Sequence, residues 1–323
     1  MAPFILVIAL FAWAATNASA EKVRTAIPRV TLNYLSVQVA EAKGFFRDEK
    51  IENETIQIPG STAIAALVSG DVQYSGAGGS GMRAAVRGAP VKAIFFQTEK
   101  VTWYLVTAPD VRKITDLRGK RVAVGTIGDT QDALITLVVE RGGLSGRDIT
   151  RVAMPARNTT TTFLGLNSGA ISAAVVNADE SILAEKAGFN TLSYLGDLFP
   201  YPFQGFLATD KMIAERPGDI KRWLRAMIRS LMFIRDDPES AADVAMKKIP
   251  MGGKSRDAVV EGIRRYGKAL PAGIPGHPTP QGLKNMIEWD VKAPLKMKED
   301  IPPEKILYLK LVNEVKEELE RRR

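Results

Sequence analysis

Two stretches, GSTAIAALVSGDVQYSG at 60–76 and NTTTTFLGLNSGAISAAVVN at 158–177, read as one structural unit written twice. Each opens on small polar residues suited to start a helix and continues as a small apolar helix. Each is then punctuated by Leu-x-Ser-Gly and followed by a short apolar strand. Ser69-Gly70 and Ser168-Gly169 stand 99 residues apart. A glycine directly after the last helical turn is where a left-handed closing residue belongs.

The flanks of the two units correspond as well. Residues 29–33, 36–43 and 55–58 read as strand, helix, strand, with Gly44-Phe45 ending the helix. Residues 121–125, 130–141 and 151–154 repeat that order, with Gly143-Leu144 in the same place. Two successive β-α-β-α-β copies imply an α/β protein of two lobes, each a mostly parallel sheet flanked by helices. Between the copies lies the extended VTWYLVTA (101–108), and after the second comes QGFLATD (204–210). These segments are expected to cross between the lobes and form a hinge over a cleft. Domain-interface clefts and the carboxyl ends of parallel strands are where small ligands bind. Beyond residue 210 the pattern turns helical. KRWLRAMIRSLMFIR (221–235) sets Trp223, Met227, Ile228, Leu231 and Ile234 on one face. Residues 240–248, 255–270, 279–292 and 304–323 read as further helices that pack on an existing lobe. The expected organisation is lobe 1 at 21–107 and 206–323 and lobe 2 at 108–205.

Composition narrows the chemistry. The 323 residues are 46% hydrophobic and 25% charged, ordinary for a globular chain. There is no cysteine, which removes disulfides, thiolate metal ligands and thiol nucleophiles, and the one histidine leaves little for a multi-histidine metal site. No cofactor and no metal are called for. The first residues belong to another class. FILVIALFAWAA (4–15) is an uncharged run of twelve, too short to span a bilayer comfortably, followed by Ala18-Ser19-Ala20. This reads as a secretory signal at 1–20 cleaved after Ala20, although it carries no Lys or Arg. The expected mature chain is a periplasmic monomer. Its formal charge is +8, with 20 basic and 18 acidic residues in 21–203 against 24 and 18 in 204–323. The surplus is dispersed among mixed signs with no interleaved aromatics, a solvated helical surface and not a nucleic-acid footprint.

The run VAEAKGFFRDEKIENETIQIPGSTAIAALVSGDVQYSGAGG (39–79) resembles the periplasmic binding proteins of the nitrate, taurine and aliphatic-sulfonate type. Their eukaryotic relatives act in making the thiamin pyrimidine. ITDLRGKRVAV (114–124), the second Leu-x-Ser-Gly and the segments 205–209 and 217–229 extend the likeness over about residues 24–250. The resemblance implies the two-lobed (type II) binding-protein fold. It also implies a receptor that closes on a small polar organic solute or oxyanion, such as a sulfonate, nitrate or pyrimidine. The partner so implied is an ABC-transporter membrane permease with its ATPase. Two departures stand out. Glu49-Lys50-Ile51 replaces the family's usual Glu-Gly-Leu turn, and Asn177-Ala178 replaces an aromatic residue before an acidic one at a lobe-2 strand end, which leaves specificity open. Two other readings are an enzyme on the same fold, although a cysteine-rich metal motif like that of the fungal pyrimidine synthase cannot exist here, and a ligand-presenting partner of a membrane sensor.

Four strand-to-helix turns are expected to line the cleft. In lobe 1 they hold Tyr34 and Ser36, then Gly60, Ser61 and Thr62, then Gly78, Gly79 and Ser80; in lobe 2, Thr126, Gly128, Asp129 and Thr130. Glycines let backbone approach a ligand, and N–H groups at helix starts attract an anion or carbonyl oxygen. They resemble a phosphate loop only superficially, because no Gly-Lys-Ser/Thr follows. Tyr34 offers an aromatic wall with a hydroxyl, Gln38 lies a turn further on, and Asn177 can donate and accept. Threonines 159–162, Phe203 and Gln204 complete the candidates. Asp129, Asp179 and Glu180 are the anomaly, since a buried carboxylate facing a bare oxyanion is costly. Either they cap helices and turn away, or the ligand carries an amine, amide or ring N–H.

Overall fold

The computed structural model describes residues 20–154 and 159–322. The expected signal, but for Ala20, and Asn158 of the second repeat lie outside the described residues. Among the described residues ten strands form two sheets: β1 Glu21–Ile27, β2 Ile51–Gln57, β3 Tyr74–Ser75, β4 Val91–Thr98, β5 Tyr104–Thr107, β6 Arg121–Val124, β7 Thr150–Ala153, β8 Ala173–Val176, β9 Asn190–Tyr194 and β10 Phe203–Thr209. The first sheet runs β2-β1-β3-β10-β4 and the second β7-β6-β8-β5-β9. The two orders are the same once β1, β2 and β3 are matched to β6, β7 and β8, so the duplicated sequence unit is a duplicated sheet. In each, three strands are parallel and the fourth runs antiparallel to both neighbours. That antiparallel strand is the one arriving from the other lobe, which makes both sheets mixed. The helices Gly60–Ser69 and Thr159–Asn167 are followed by Gly70 at φ +87° and Gly169 at φ +68°, the left-handed closures the repeats predict.

Two expectations shift. The first strand is β1, not 29–33: Val23, Thr25, Ala26 and Ile27 are buried, the whole strand pairs with β2, and Thr25 and Ala26 also pair with β3. Pro28 has no N–H to extend that ladder, and Leu32–Tyr34 forms a 3-10 turn leading into the helix Leu35–Ala42. The lobe boundary also moves from 107/108. All four residues of β5 pair with β8 and β9, inside the second sheet, while β10 pairs with β4 from Phe203 onward in the first. The crossings are therefore the short segments 99–103 and 195–202.

The amphipathic helix Pro217–Asp236 buries Trp223, Met227, Ile228, Leu231 and Ile234 as its spacing predicts, with Trp223 stacked on Tyr74 at 4.2 Å. The C-terminal helices do not rest on lobe 1 alone. Arg256–Gly267 packs on the lobe-2 helix Ala178–Lys186. The helical run expected at 279–292 divides into Pro280–Met286 and a π-helical stretch, Ile287–Lys292. That stretch wedges against Gly78–Val86 of lobe 1 and Thr130–Arg141 of lobe 2. One apolar core consequently runs through both lobes, from Leu207 and Val101 to Leu134, Phe199 and Val291. Among the described residues no helix is long and apolar enough to cross a membrane.

Candidate functional site

A cleft of about 290 Å³ opens where the two sheets face each other. Pro28, Gln57, Gly76, Gly125 and Asn177, each within a residue of the carboxyl end of β1, β2, β3, β6 or β8, lie in its wall. Parallel strands end there and helices begin, so backbone donors and short loops converge on one space. Of the residues singled out from sequence, Tyr34, Gly60, Ser61, Gly78, Gly79, Ser80, Thr126, Gly128, Asp129, Thr130, Asn177 and Gln204 line it, as does Phe203.

Ser36, Gln38, Thr62 and Asp179 do not. Ser36 is buried and its hydroxyl donates to Gln97, Gln38 is buried within its helix, and Thr62 faces solvent. Asp179 is turned into the contact between Ala178–Lys186 and the C-terminal helices, where it pairs with Lys254. Burial raises its carboxyl pKa above the ordinary carboxylate value, and the Lys254 ammonium opposes that rise. The other two carboxylates serve their own helices. Asp129 accepts the N–H groups of Asp132 at 2.9 Å and Thr126 at 2.7 Å, and Glu180 accepts the N–H of Asn177 at 2.9 Å. The single histidine, His277, lies away from the cleft wall.

A hydrogen-bonded chain ties the lobes at the back of the cleft. Tyr266 donates to Gln204 at 3.2 Å, Gln204 to Thr102 at 3.0 Å, Thr102 to Asn33 at 3.0 Å, and Asn33 to Asn177 across the lobes at 2.7 Å. Gln204 holds φ +55°, unusual for a residue with a Cβ, at the point where the chain re-enters lobe 1. Aromatic walls flank this chain. Tyr34 donates its hydroxyl to the Gly76 carbonyl at 2.9 Å, and burial raises its pKa. Trp103 meets Phe203 edge-on at 4.6 Å, and Phe96 completes the apolar side.

Sequence reasoning missed the residues that reach the cleft from afar. Asp290, on the π-helical stretch, lines it while paired to the buried Arg83 at 2.7 Å. No local pattern marks an aspartate more than 200 residues away in sequence from its arginine. Gln57 lies on the strand read at 55–58 and Trp103 in the crossing read at 101–108, neither of them named as a solute contact, and Phe96 lies on β4, which the sequence reading did not place.

The family model described as NMT1/THI5 like matches residues 31–241. The chain belongs to that family. The resemblance read from 39–79 points the same way. Among relatives, the riboflavin-binding protein RibY of Chloroflexus aurantiacus is 25% identical over 256 residues, 73% of this chain and 71% of that protein. The alkanesulfonate-binding protein SsuA of Xanthomonas axonopodis pv. citri, solved with MOPS bound, superimposes with a TM-score of 0.70 at 16% identity, covering 90% of this chain and 97% of that one. The desulfurization enzyme DSZB superimposes with a TM-score of 0.65 at 15% identity, over 94% and 100% of the two chains. The family thus shares the periplasmic-binding-protein fold with solute receptors, and the same architecture also carries an enzyme.

Proposed function

We infer that the protein is an extracytoplasmic solute receptor of an ABC importer. Its two lobes close on a small ring-bearing organic solute, which it hands to a membrane permease driven by an ATPase. The carrying observation is the cleft wall itself: Tyr34, Phe96, Trp103 and Phe203 offer ring faces, while Asn33, Gln57, Asn177 and Gln204 offer carboxamides that both donate and accept. A bare oxyanion fits this wall poorly. Among the described lining residues, the formal charges are those of Arg29, Asp129 and Asp290, so carboxylates outnumber cations. The RibY likeness supports a heteroaromatic solute with imide and carbonyl edges, such as a flavin or a pyrimidine. Hinge closure follows if the solute touches both lobes, because only differential contact shifts such an equilibrium.

The decisive experiment is mass spectrometry of what is released when the purified protein is denatured, followed by thermal unfolding with the compound found and with riboflavin, uracil and methanesulfonate. A ring solute that binds stabilises the fold by about 2.7 kcal/mol at a hundredfold excess over Kd. A chain stabilised by methanesulfonate alone refutes the ring-solute reading, and one that consumes the released compound is an enzyme. N-terminal sequencing of the exported protein is expected to begin at Glu21, and size-exclusion to give a monomer.

A further inference from the structure

We propose that Asp290 is a specificity-determining residue: it cancels the charge of the buried Arg83 at the cleft wall and presents its free oxygen to an N–H donor of the solute. This deepens the ring-solute reading above and rests on it for the identity of the donor.

Three elements meet at Asp290. Arg83, on the lobe-1 helix Gly78–Val86, sends Nη1 to Asp290 Oδ1 at 2.7 Å and to the Asp290 carbonyl at 2.6 Å, and Nη2 to the Gly128 carbonyl of lobe 2 at 3.3 Å. Thr130, at the first turn of a lobe-2 helix, donates to the same Oδ1 at 2.9 Å. Oδ1 is thus occupied twice, whereas Oδ2 takes no hydrogen bond from the described residues. The side chains of Arg83 and Asp290 are 6% and 5% exposed, yet Asp290 borders the cleft and Arg83 stands behind it. The carboxylate also lies hard against Gly79, where a Cβ would come within 2.5 Å of Oδ2. The backbone that carries it is a π-helical stretch, a form that is rare and concentrated at functional sites.

The chemistry follows from the charge. An uncompensated guanidinium at this depth would make the cleft an anion site. With Asp290 in place the pair is neutral, and the face it turns to the solute is an acceptor. An imide, amide or amine hydrogen satisfies that acceptor; a sulfonate oxygen meets a carboxylate oxygen instead. A site built to accept a hydrogen bond rejects the analogue lacking the donor by roughly 100-fold or more.

The test compares the full chain with Asp290→Asn, and with the double variant Arg83→Met/Asp290→Leu, in which apolar groups replace both charges and the fold is expected to persist. The probes are riboflavin, its N3-methyl derivative and methanesulfonate, read by calorimetry and thermal unfolding. In the native chain, N3-methylation is expected to weaken binding roughly 100-fold and methanesulfonate to have no effect. Asp290→Asn is expected to gain methanesulfonate-dependent stabilisation, because the Arg83 charge is no longer cancelled and the new amide donates. The double variant is expected to bind neither the sulfonate nor to distinguish the two flavins, a loss of discrimination that a purely structural role would not produce. The proposal is overturned if methanesulfonate affects the native chain and Asp290→Asn alike, or if the native chain binds both flavins equally. Should the native chain bind neither flavin, a flavin is not the solute, and the sulfonate comparison still decides the role of Asp290. Should Asp290→Asn not fold, the flavin discrimination in the native chain and its loss in the double variant decide it.

Discussion

The two lobes share a sheet order and differ in how they finish the helices that face the cleft. In lobe 1, Gly60–Ser69 and Gly78–Val86 start after Pro59 and Ala77, residues whose side chains cannot cap, and no side-chain cap bond is made. In lobe 2, Thr130–Arg141 is closed by Asp129, and Glu180 folds back on the start of Ala178–Lys186. The first N–H groups of a helix have no partner within it, and the helix start carries a partial positive charge. Lobe 1 therefore leaves donors toward the solute, while lobe 2 answers its own. At matched positions, Leu35–Ala42 and Gly78–Val86 of lobe 1 start without a side-chain cap, whereas Thr130–Arg141 and Ala178–Lys186 of lobe 2 are closed by carboxylates.

The largest effect is expected where lobe 2 relies on the C-terminal helices. Asp179 and Lys254 are 3% and 8% exposed, and the Asp179 Oδ1 has no partner. Lys254→Met leaves a buried carboxylate unpaired and is expected to cost about 3 kcal/mol or more in chemical unfolding. Adding Asp179→Asn should recover much of that loss; a single variant as stable as the native chain would show that the contact does not hold lobe 2. A smaller effect separates the two kinds of helix start directly. Asp129→Ala removes a lobe-2 cap and should lower stability by about 1 kcal/mol. Pro59→Asp adds a cap to lobe 1, where φ −63° and ψ 147° already suit one. It should leave stability within about 1 kcal/mol yet weaken solute binding, because the new carboxylate engages the donors the solute would use. Calorimetry on both variants checks this; equal loss of binding in the two would erase the distinction between lobes.

How far the sequence could be read follows the range of the interactions. The repeats were legible because an apolar helix closed by glycine is a local pattern, and it places Gly70 and Gly169 correctly. β1 was misplaced because EKVRTAI looks too polar for an inner strand until Trp223 covers Thr25, whose hydroxyl accepts the indole N–H at 3.2 Å. β5 was assigned to the wrong lobe because an extended apolar run does not say which sheet it joins. In the cleft, the glycine turns were visible for the same local reason. Asp290, Gln57 and Trp103 were not, since only the packed tail and the sheet twist bring them to the wall.

The smallest effect lies on the outer face of lobe 1, where the helices Pro217–Asp236 and Lys310–Glu320 pack together. The basic surplus of that region is not simply solvated: Lys221 bonds Glu314 and Glu318, and Arg225 bonds Glu49 and Glu318. The hydrogen bond from Lys221 is the largest influence on Glu318, and with Arg225 it holds that carboxyl below the ordinary glutamate value. A carboxyl whose pKa is depressed on folding stabilises the protein above its unfolded pKa and loses that contribution as pH falls through the folded one. Glu318→Gln is therefore expected to cost no more than about 1 kcal/mol at neutral pH, being a partly exposed network. The gap between the two proteins should close as the pH falls below about 4. Unfolding curves taken across that range decide the point. A gap that persists at low pH would mean that the helix Lys310–Glu320 is held by the packing of Leu311, Val312 and Val315 alone, with its charges idle.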